Sequence, residues 1–308
     1  MTHDGAPERW DRRAPRRGRL HGLLALMVLI WAVNFVFAKL AVRDAPPLLV
    51  ACLRTVLSGL FMIPVYRVAR RRMQDPALRP FTARDLPRLA AVGVVGIVGN
   101  QFLFVLAISR TSVSHGAVVG ATSPVLVLLG AMAVGAERLR WRRLLGMVAS
   151  AAGVAVLQLG RAPGGQSSPV GDALMLCNAA LFAGFSLLGG PLTAQVGTLA
   201  LNAVAYWGGA VLALPLAAWG LLHLGPSHIG AAAWAGILYM SFAPSIVGYL
   251  IYSQALRYLP ASRVASVTYL QPVLATLLAV ALLGERPGLP YACGAAVILG
   301  GVWLVQRR

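Results

Sequence analysis

Two positive charges stand where a charge is costly. Arg54 lies about seven residues into an apolar run that begins near position 47, and Lys39 lies two or three residues from the end of the run before it. At about 1.5 Å per helical residue, Arg54 is roughly 10 Å deep. Its planar fork can hold a carboxylate by two parallel hydrogen bonds, which a lysine cannot imitate, so the chemistry open to it is recognition of an anion. Lys39 is close enough to an end to reach water along its stem. All nine acids, Asp4, Glu8, Asp11, Asp44, Asp75, Asp85, Glu137, Asp172 and Glu285, fall in tails, loops or helix ends. No carboxylate is therefore placed at mid-depth to take a cation or a proton. The structural alternative ties Arg54 to helix-end carbonyls or to a loop acid such as Asp44 or Glu285.

Uncharged polar residues inside the apolar runs form the next set: Asn34, Asn100, Gln101, Asn178, Tyr239, Tyr249, Tyr252, Ser253, Tyr269 and Gln271. On helix geometry Trp31, Asn34 and Ala38 share a face, as do Tyr249, Tyr252 and Ser253. Such residues either line a cavity or bond helix to helix, and tyrosine also collects at membrane interfaces. The candidate substrate-binding set is Trp31, Asn34, Lys39, Arg54, Asn100, Gln101, Asn178, Tyr239, Tyr249, Tyr252, Tyr269 and Gln271, with Pro124 and Pro272 as candidate hinges. A proline within a helix removes the bond to the carbonyl four residues back, which would free Gly120 and Thr268. The alternative is a packing kink satisfied by a neighbouring Ser or Thr. Pro64, Pro215 and Pro244 invite the same question.

No residue set points to catalysis. There is no Gly-x-Ser-x-Gly elbow, no His-Glu-x-x-His and no pair of buried aspartates. Cys52, Cys177 and Cys293 lack CxxC spacing, so neither a metal site nor a disulfide framework is indicated, and no cofactor is implied.

The elements that must position these residues are membrane helices. The 308 residues are 58% hydrophobic and 12% charged, with a mean hydropathy of +0.73, well above an ordinary soluble domain. Residues 1–19 are an arginine-rich arm whose composition predicts disorder. The run 20–41 is too long for a signal-peptide core and lacks a cleavage site, so it reads as a retained span. At about 20 residues per span, further spans are predicted at 47–67, 87–108, 115–135, 142–160, 170–189, 198–222, 229–255, 262–283 and 289–306. The expected fold is an all-α integral membrane protein of ten transmembrane helices.

The chain also repeats. An offset of 148 carries Pro124 to Pro272, Glu137 to Glu285, Arg138 to Arg286, Gly146 to Gly294 and Gly153 to Gly301. With an offset of 149, Ile97-Val98-Gly99 returns as Ile246-Val247-Gly248. This predicts five-helix repeats over 20–160 and 170–306, joined by a linker at 161–169. Five is odd, so the second half must enter the membrane in the opposite sense. Inverted repeats of this kind are a signature of transporters, whose substrate sites lie at the repeat interface.

The net charge of +18 could suggest nucleic acid, but the positives are spread over separate loops with no binding motif. Most gather on one side if the N-terminus is inside: the arm, Arg67 to Arg88, Arg138 to Arg143, Arg257, Arg263, Arg307 and Arg308. Arg43, Arg110, Arg161 and Arg286 fall on the other. Basic loops favour the cytoplasm, so both termini are expected there.

The residues now in view resemble those of a known family. Trp31-x-x-Asn34-Phe35 with Lys39, then Arg54, the small-residue stretches before Pro124 and Pro272, and Leu-Gly-Glu-Arg at 283–286 followed by Gly294 and Gly301 look like an EamA-type member of the drug/metabolite transporter superfamily. The resemblance covers residues 20–306. Two departures are Ala136, where the second half has Gly284, and the sixth span, Asn178-Ala-Ala-Leu-Phe-Ala-Gly-Phe185, which has no aromatic at the Trp31 position.

That resemblance implies helices around a central cavity, with the fifth and tenth peripheral. It also implies alternating-access transport of small metabolites, amino acids or related zwitterionic and anionic compounds, by export across the bacterial inner membrane. The expected partners are a small-molecule substrate and the bilayer, with no nucleic acid; a monomer fits, and a homo-oligomer stays open. Other classes are a multidrug exporter, to which the missing carboxylate is unfavourable, and a lipid-carrier flippase or structural membrane subunit.

Overall fold

The computed structural model describes residues 17–72, 78–79, 81–111, 116, 119–138, 140–159, 168–226, 229–283 and 289–306. The arm at 1–16, most of the linker at 161–169, Glu285 and Arg286 lie outside them. No strand occurs among the described residues, most of which lie in ten helical rods, with Gly116, Val119 and Gly120 also helical just ahead of the fourth. These are α1 (Arg17–Asp44), α2 (Pro47–Arg72), α3 (Ala83–Arg110), α4 (Ser123–Ala133), α5 (Trp141–Leu159), α6 (Pro169–Val196), α7 (Thr198–Leu224), α8 (Ala231–Leu256), α9 (261–283) and α10 (Leu289–Gln306). Six of them, α1, α2, α3, α6, α7 and α8, are long and apolar enough to cross a membrane. Stretches of α4 and α10 are shorter apolar helices.

The ends of the rods follow from local chemistry. Pro46 disfavours helix at Ala45, and Pro47 then opens α2 at a position where its missing N–H is not needed. Ser168 caps α6, its hydroxyl accepting from Gly171 N at 3.0 Å, with Pro169 at the first turn. Gly197 alone separates α6 from α7, at φ +90°, a conformation that a side chain would resist. The segment before α3 docks on this corner, with Arg79 N donating to Gln195 O at 3.1 Å. Arg79 also grips Asp85 through both carboxylate oxygens, at 2.5 and 2.8 Å.

Two rods contain π-helical stretches, Ala91–Gly99 in α3 and Ala243–Gly248 in α8. They hold the two copies of Ile-Val-Gly. Such widened turns leave ordinary i−4 pairing and recur at functional sites. Pro244 supplies one cause in α8, since it has no N–H to give.

The sequence reading sets Pro124 inside a span. In the structure a turn at Ala121 and Thr122 comes first, and Pro124 falls in the opening turn of α4. There it breaks no helical bond, and the Gly120 carbonyl is taken by Ser123 Oγ at 2.7 Å. The discontinuity is real, but the turn makes it and the proline only follows. Pro64 and Pro215 are exposed within α2 and α7, as is Pro191 in α6, which continues past it.

Packing follows the repeat. The α5–α10 pair has the most extensive contact, and α2 packs on α7; α3 against α6 is matched by α1 against α8. On α5 and α10 the close approaches are crossed: a Cβ on Gly146 would lie 2.6 Å from Gly301 O, and one on Gly153 would lie 2.9 Å from Gly294 O. Between them Ser150 Oγ faces Ile298 O at 3.4 Å. Around the rods, large apolar side chains such as Val211, Leu212, Trp219 and Leu222 of α7 point outward, as a lipid solvent allows.

Candidate functional site

A cavity of about 720 Å³, counting its mouth, lies among α1, α2, α3, α4, α6, α8 and α9. Of the candidate set, Trp31, Asn34, Arg54, Asn100, Gln101, Asn178, Tyr249 and Gln271 line it, with the hinge candidate Pro272. Phe35, Phe104, Met175 and Phe182 supply apolar wall.

Arg54 is 2% exposed, and its Nε donates to Ser245 Oγ at 3.2 Å. Neither Asp44 nor any other carboxylate among the described residues forms an ion pair with it. Its Nη1 is buried and has no partner. Ser245 is the knot of a small network: its hydroxyl also faces Gln101 Oε1 at 2.9 Å and Met240 O at 2.7 Å, while Gln101 Nε2 donates to Tyr206 OH at 2.8 Å. Tyr206 OH in turn donates to the Ser245 carbonyl. The guanidinium is thus clamped along one edge by α8, and its Nη1 is left without a protein acceptor.

On α1, Asn34 is 7% exposed and its Oδ1 is buried without a partner. Trp31, one turn earlier, donates through Nε1 to Pro244 O at 3.3 Å. It can do so because Gly248 presents no Cβ; one there would meet the indole nitrogen. Asn100 and Asn178 bond each other across α3 and α6, and Tyr249 OH donates to Asn100 Oδ1 at 2.7 Å.

Four of the candidates do not line the cavity. Lys39 Nζ donates to Ile108 O at 3.0 Å and Thr111 O at 2.9 Å, at the C-terminal end of α3, where a cation meets the helix's open carbonyls. Tyr239 stacks on Phe37 at 4.4 Å and donates to Ile30 O at 2.9 Å. Tyr252 sits behind the lining, with its OH 2.6 Å from Ser186 Oγ. Tyr269 is fully buried away from the cavity, in the cluster against α10. Ser245 and Tyr206 were not among the candidates, and the signal for Ser245 was its place in Ala243-Pro-Ser, a polar break within an apolar run.

Outside the cavity, Glu137 joins the two halves. Its carboxylate accepts from Arg143 Nη1 at 2.8 Å, from Ser262 N at 3.1 Å at the start of α9, and from Ser262 Oγ.

Residues 20–159 and 169–307 each match the family described as EamA-like transporter family. The chain is 29% identical over 294 residues to an uncharacterized transporter of Archaeoglobus fulgidus, covering 94% of this chain and 98% of that one. It is 30% identical over 228 residues to a probable terminal-alkyne amino-acid exporter of Streptantibioticus cattleyicolor, covering 73% and 75%. It is 29% identical over 300 residues to a probable amino-acid metabolite efflux pump of Salmonella typhimurium, covering 93% and 94%. A solved crystal structure shares the fold, with a TM-score of 0.72 at 21% identity over 94% of this chain and 97% of the other.

Proposed function

Because the chain belongs to the EamA-like transporter family, we propose that this membrane protein exports small metabolites, amino acids or related zwitterionic and anionic compounds, across the inner membrane by alternating access. The observation that carries this reading is Arg54 at the wall of the cavity, with its Nη1 unsatisfied and no carboxylate partner among the described residues. A buried cation with no counter-charge is costly, and at membrane depth it is usually there for function. A substrate carboxylate would complete it. The efflux names borne by the relatives from Salmonella typhimurium and Streptantibioticus cattleyicolor support direction and class.

In this reading ten helices span the membrane as two inverted halves, 20–160 and 170–306, with both termini in the cytoplasm. The crossed glycine contacts of α5 and α10 support the inversion. Gly146 meets Gly301 and Gly153 meets Gly294, so each residue touches the counterpart of its neighbour, as across a two-fold axis. The eight candidates at the cavity wall are the proposed binding residues, and the proposed bending points are the turn at Ala121–Thr122 and Pro272.

Counterflow in liposomes, with panels of amino acids, sugars, nucleosides and cationic dyes, tests the reading. Exchange of amino acids is expected. Exchange of dyes alone would replace it by a multidrug exporter, and no exchange of any compound by folded protein would replace it by a flippase or a structural subunit.

A further inference from the structure

Among the described residues, two buried polar atoms in the cavity wall are left unsatisfied, and they are of opposite kind. Arg54 Nη1 is a charged donor and Asn34 Oδ1 is an acceptor. Both residues are more than nine-tenths buried, and both line the same cavity from α1 and α2. Of the other amides on the wall, three are spent on the protein: Asn100 and Asn178 on each other, Gln101 on Tyr206 and Ser245. A buried polar group without a partner is destabilising and rare in a settled structure. Two of them beside one cavity describe the complement of a ligand.

We propose that Arg54 and Asn34 are the two poles of a zwitterion site, Arg54 Nη1 donating to a substrate carboxylate and Asn34 Oδ1 accepting from its ammonium. This rests on the transporter reading and narrows it. The ammonium pole is reinforced by Trp31, one turn from Asn34, and by Tyr249, whose ring centroid is 5.4 Å from that of Trp31; aromatic faces attract a cation. No carboxylate among the described residues lines the cavity, so an ammonium is held by neutral acceptors and ring faces, and a substrate of net positive charge has nothing there to offset Arg54. Beside Ser123, Thr268 and Gln271, the rest of the wall is largely apolar. Phe35 and Phe104 meet edge to face at 5.0 Å, with Met175 and Phe182 nearby. The substrate class is α-amino acids with apolar side chains, both termini free.

The test is binding by the purified full chain in lipid nanodiscs, measured by calorimetry. The probes are L-leucine, L-methionine and L-phenylalanine, with the N-acetyl and carboxamide derivatives of each. The free amino acids should bind, and blocking either end should weaken binding at least tenfold. Asn34→Leu should erase the penalty for N-acetylation and leave that for the amide, while Arg54→Gln should do the reverse. Equal binding of free and blocked forms, or no binding of any free amino acid, overturns the assignment. The wild-type comparison decides it even if a variant fails to fold. Binding in nanodiscs is also independent of counterflow: blocked forms binding as well as free ones would sink the zwitterion site while leaving an exporter, whereas zwitterion binding without exchange would sink the exporter and leave the site.

Discussion

Asn100 and Asn178 hold each other reciprocally: each side-chain nitrogen donates to the other's backbone carbonyl, at 2.8 and 2.7 Å, across α3 and α6. The pair closes a bond that neither helix can make alone, at the point where the π stretch of α3 ends. Asn100→Ala and Asn178→Ala should each lower stability by about 1–2 kcal/mol. The double variant should cost less than the two singles together, since either change already disrupts the shared arrangement. Thermal unfolding of all three variants checks this.

Arg54→Lys keeps the charge and loses the bond from Nε to Ser245 Oγ. Transport of a carboxylate substrate should fall tenfold or more, with little change in thermal stability. A purely structural arginine would instead make Arg54→Lys and Arg54→Ala lose stability together. Transport and melting of both variants, measured side by side, separate the two roles.

Glu137 is nearly buried, and it serves Arg143 and Ser262 at once. Glu137→Gln leaves the Arg143 guanidinium without its counter-charge, and a broken buried pair costs roughly 3 kcal/mol or more. Because Ser262 begins α9, the loss should also loosen that helix. Hydrogen exchange at residues 261–266 should rise in the variant and stay low in the parent.

Glycine substitutions should divide sharply by position. Gly153→Ala would press a methyl against Gly294 O at 2.9 Å, a backbone atom that cannot swing away. Gly184→Ala meets nothing within 4 Å inside a helix. The first should destabilise by about 1–3 kcal/mol, and the second should stabilise by about 0.5–1 kcal/mol. Similar melting shifts for both would contradict the packing of α5 on α10.

Orientation can be read at two exposed positions close to helix ends, Arg84 in the first turn of α3 and Pro46 just before α2. With basic loops inside, Arg84→Cys should resist a membrane-impermeant thiol reagent in intact cells, and Pro46→Cys should react. The opposite pattern would reverse the topology.

Much of this was legible in the sequence. Apolar runs and proline–glycine breaks located the rods, because a helix in lipid must be apolar along its length and its ends need special residues. Arg54 and Asn34 were legible as polar groups at depth. The π stretch at Ala91–Gly99 was not, since nothing in a run of valine, glycine and isoleucine marks a widened turn. Lys39 was read by its own position, whereas its partners Ile108 and Thr111 are about 70 residues away. Tyr249 and Tyr252 were assigned one face, but a turn of helix is enough to send one hydroxyl to Asn100 and the other to Ser186. Ser245 escaped notice because its importance lies in what converges on it from α2, α3 and α7.

The crossed contact of α5 and α10 maps onto itself when the halves are exchanged. A surface that fits its own equivalent is adhesive toward any second copy of the unit that bears it. A five-helix chain carrying only one such stripe would therefore already possess the glue for pairing with its twin about a two-fold axis, and joining two units in one chain fixes their ratio and proximity without requiring a new interface.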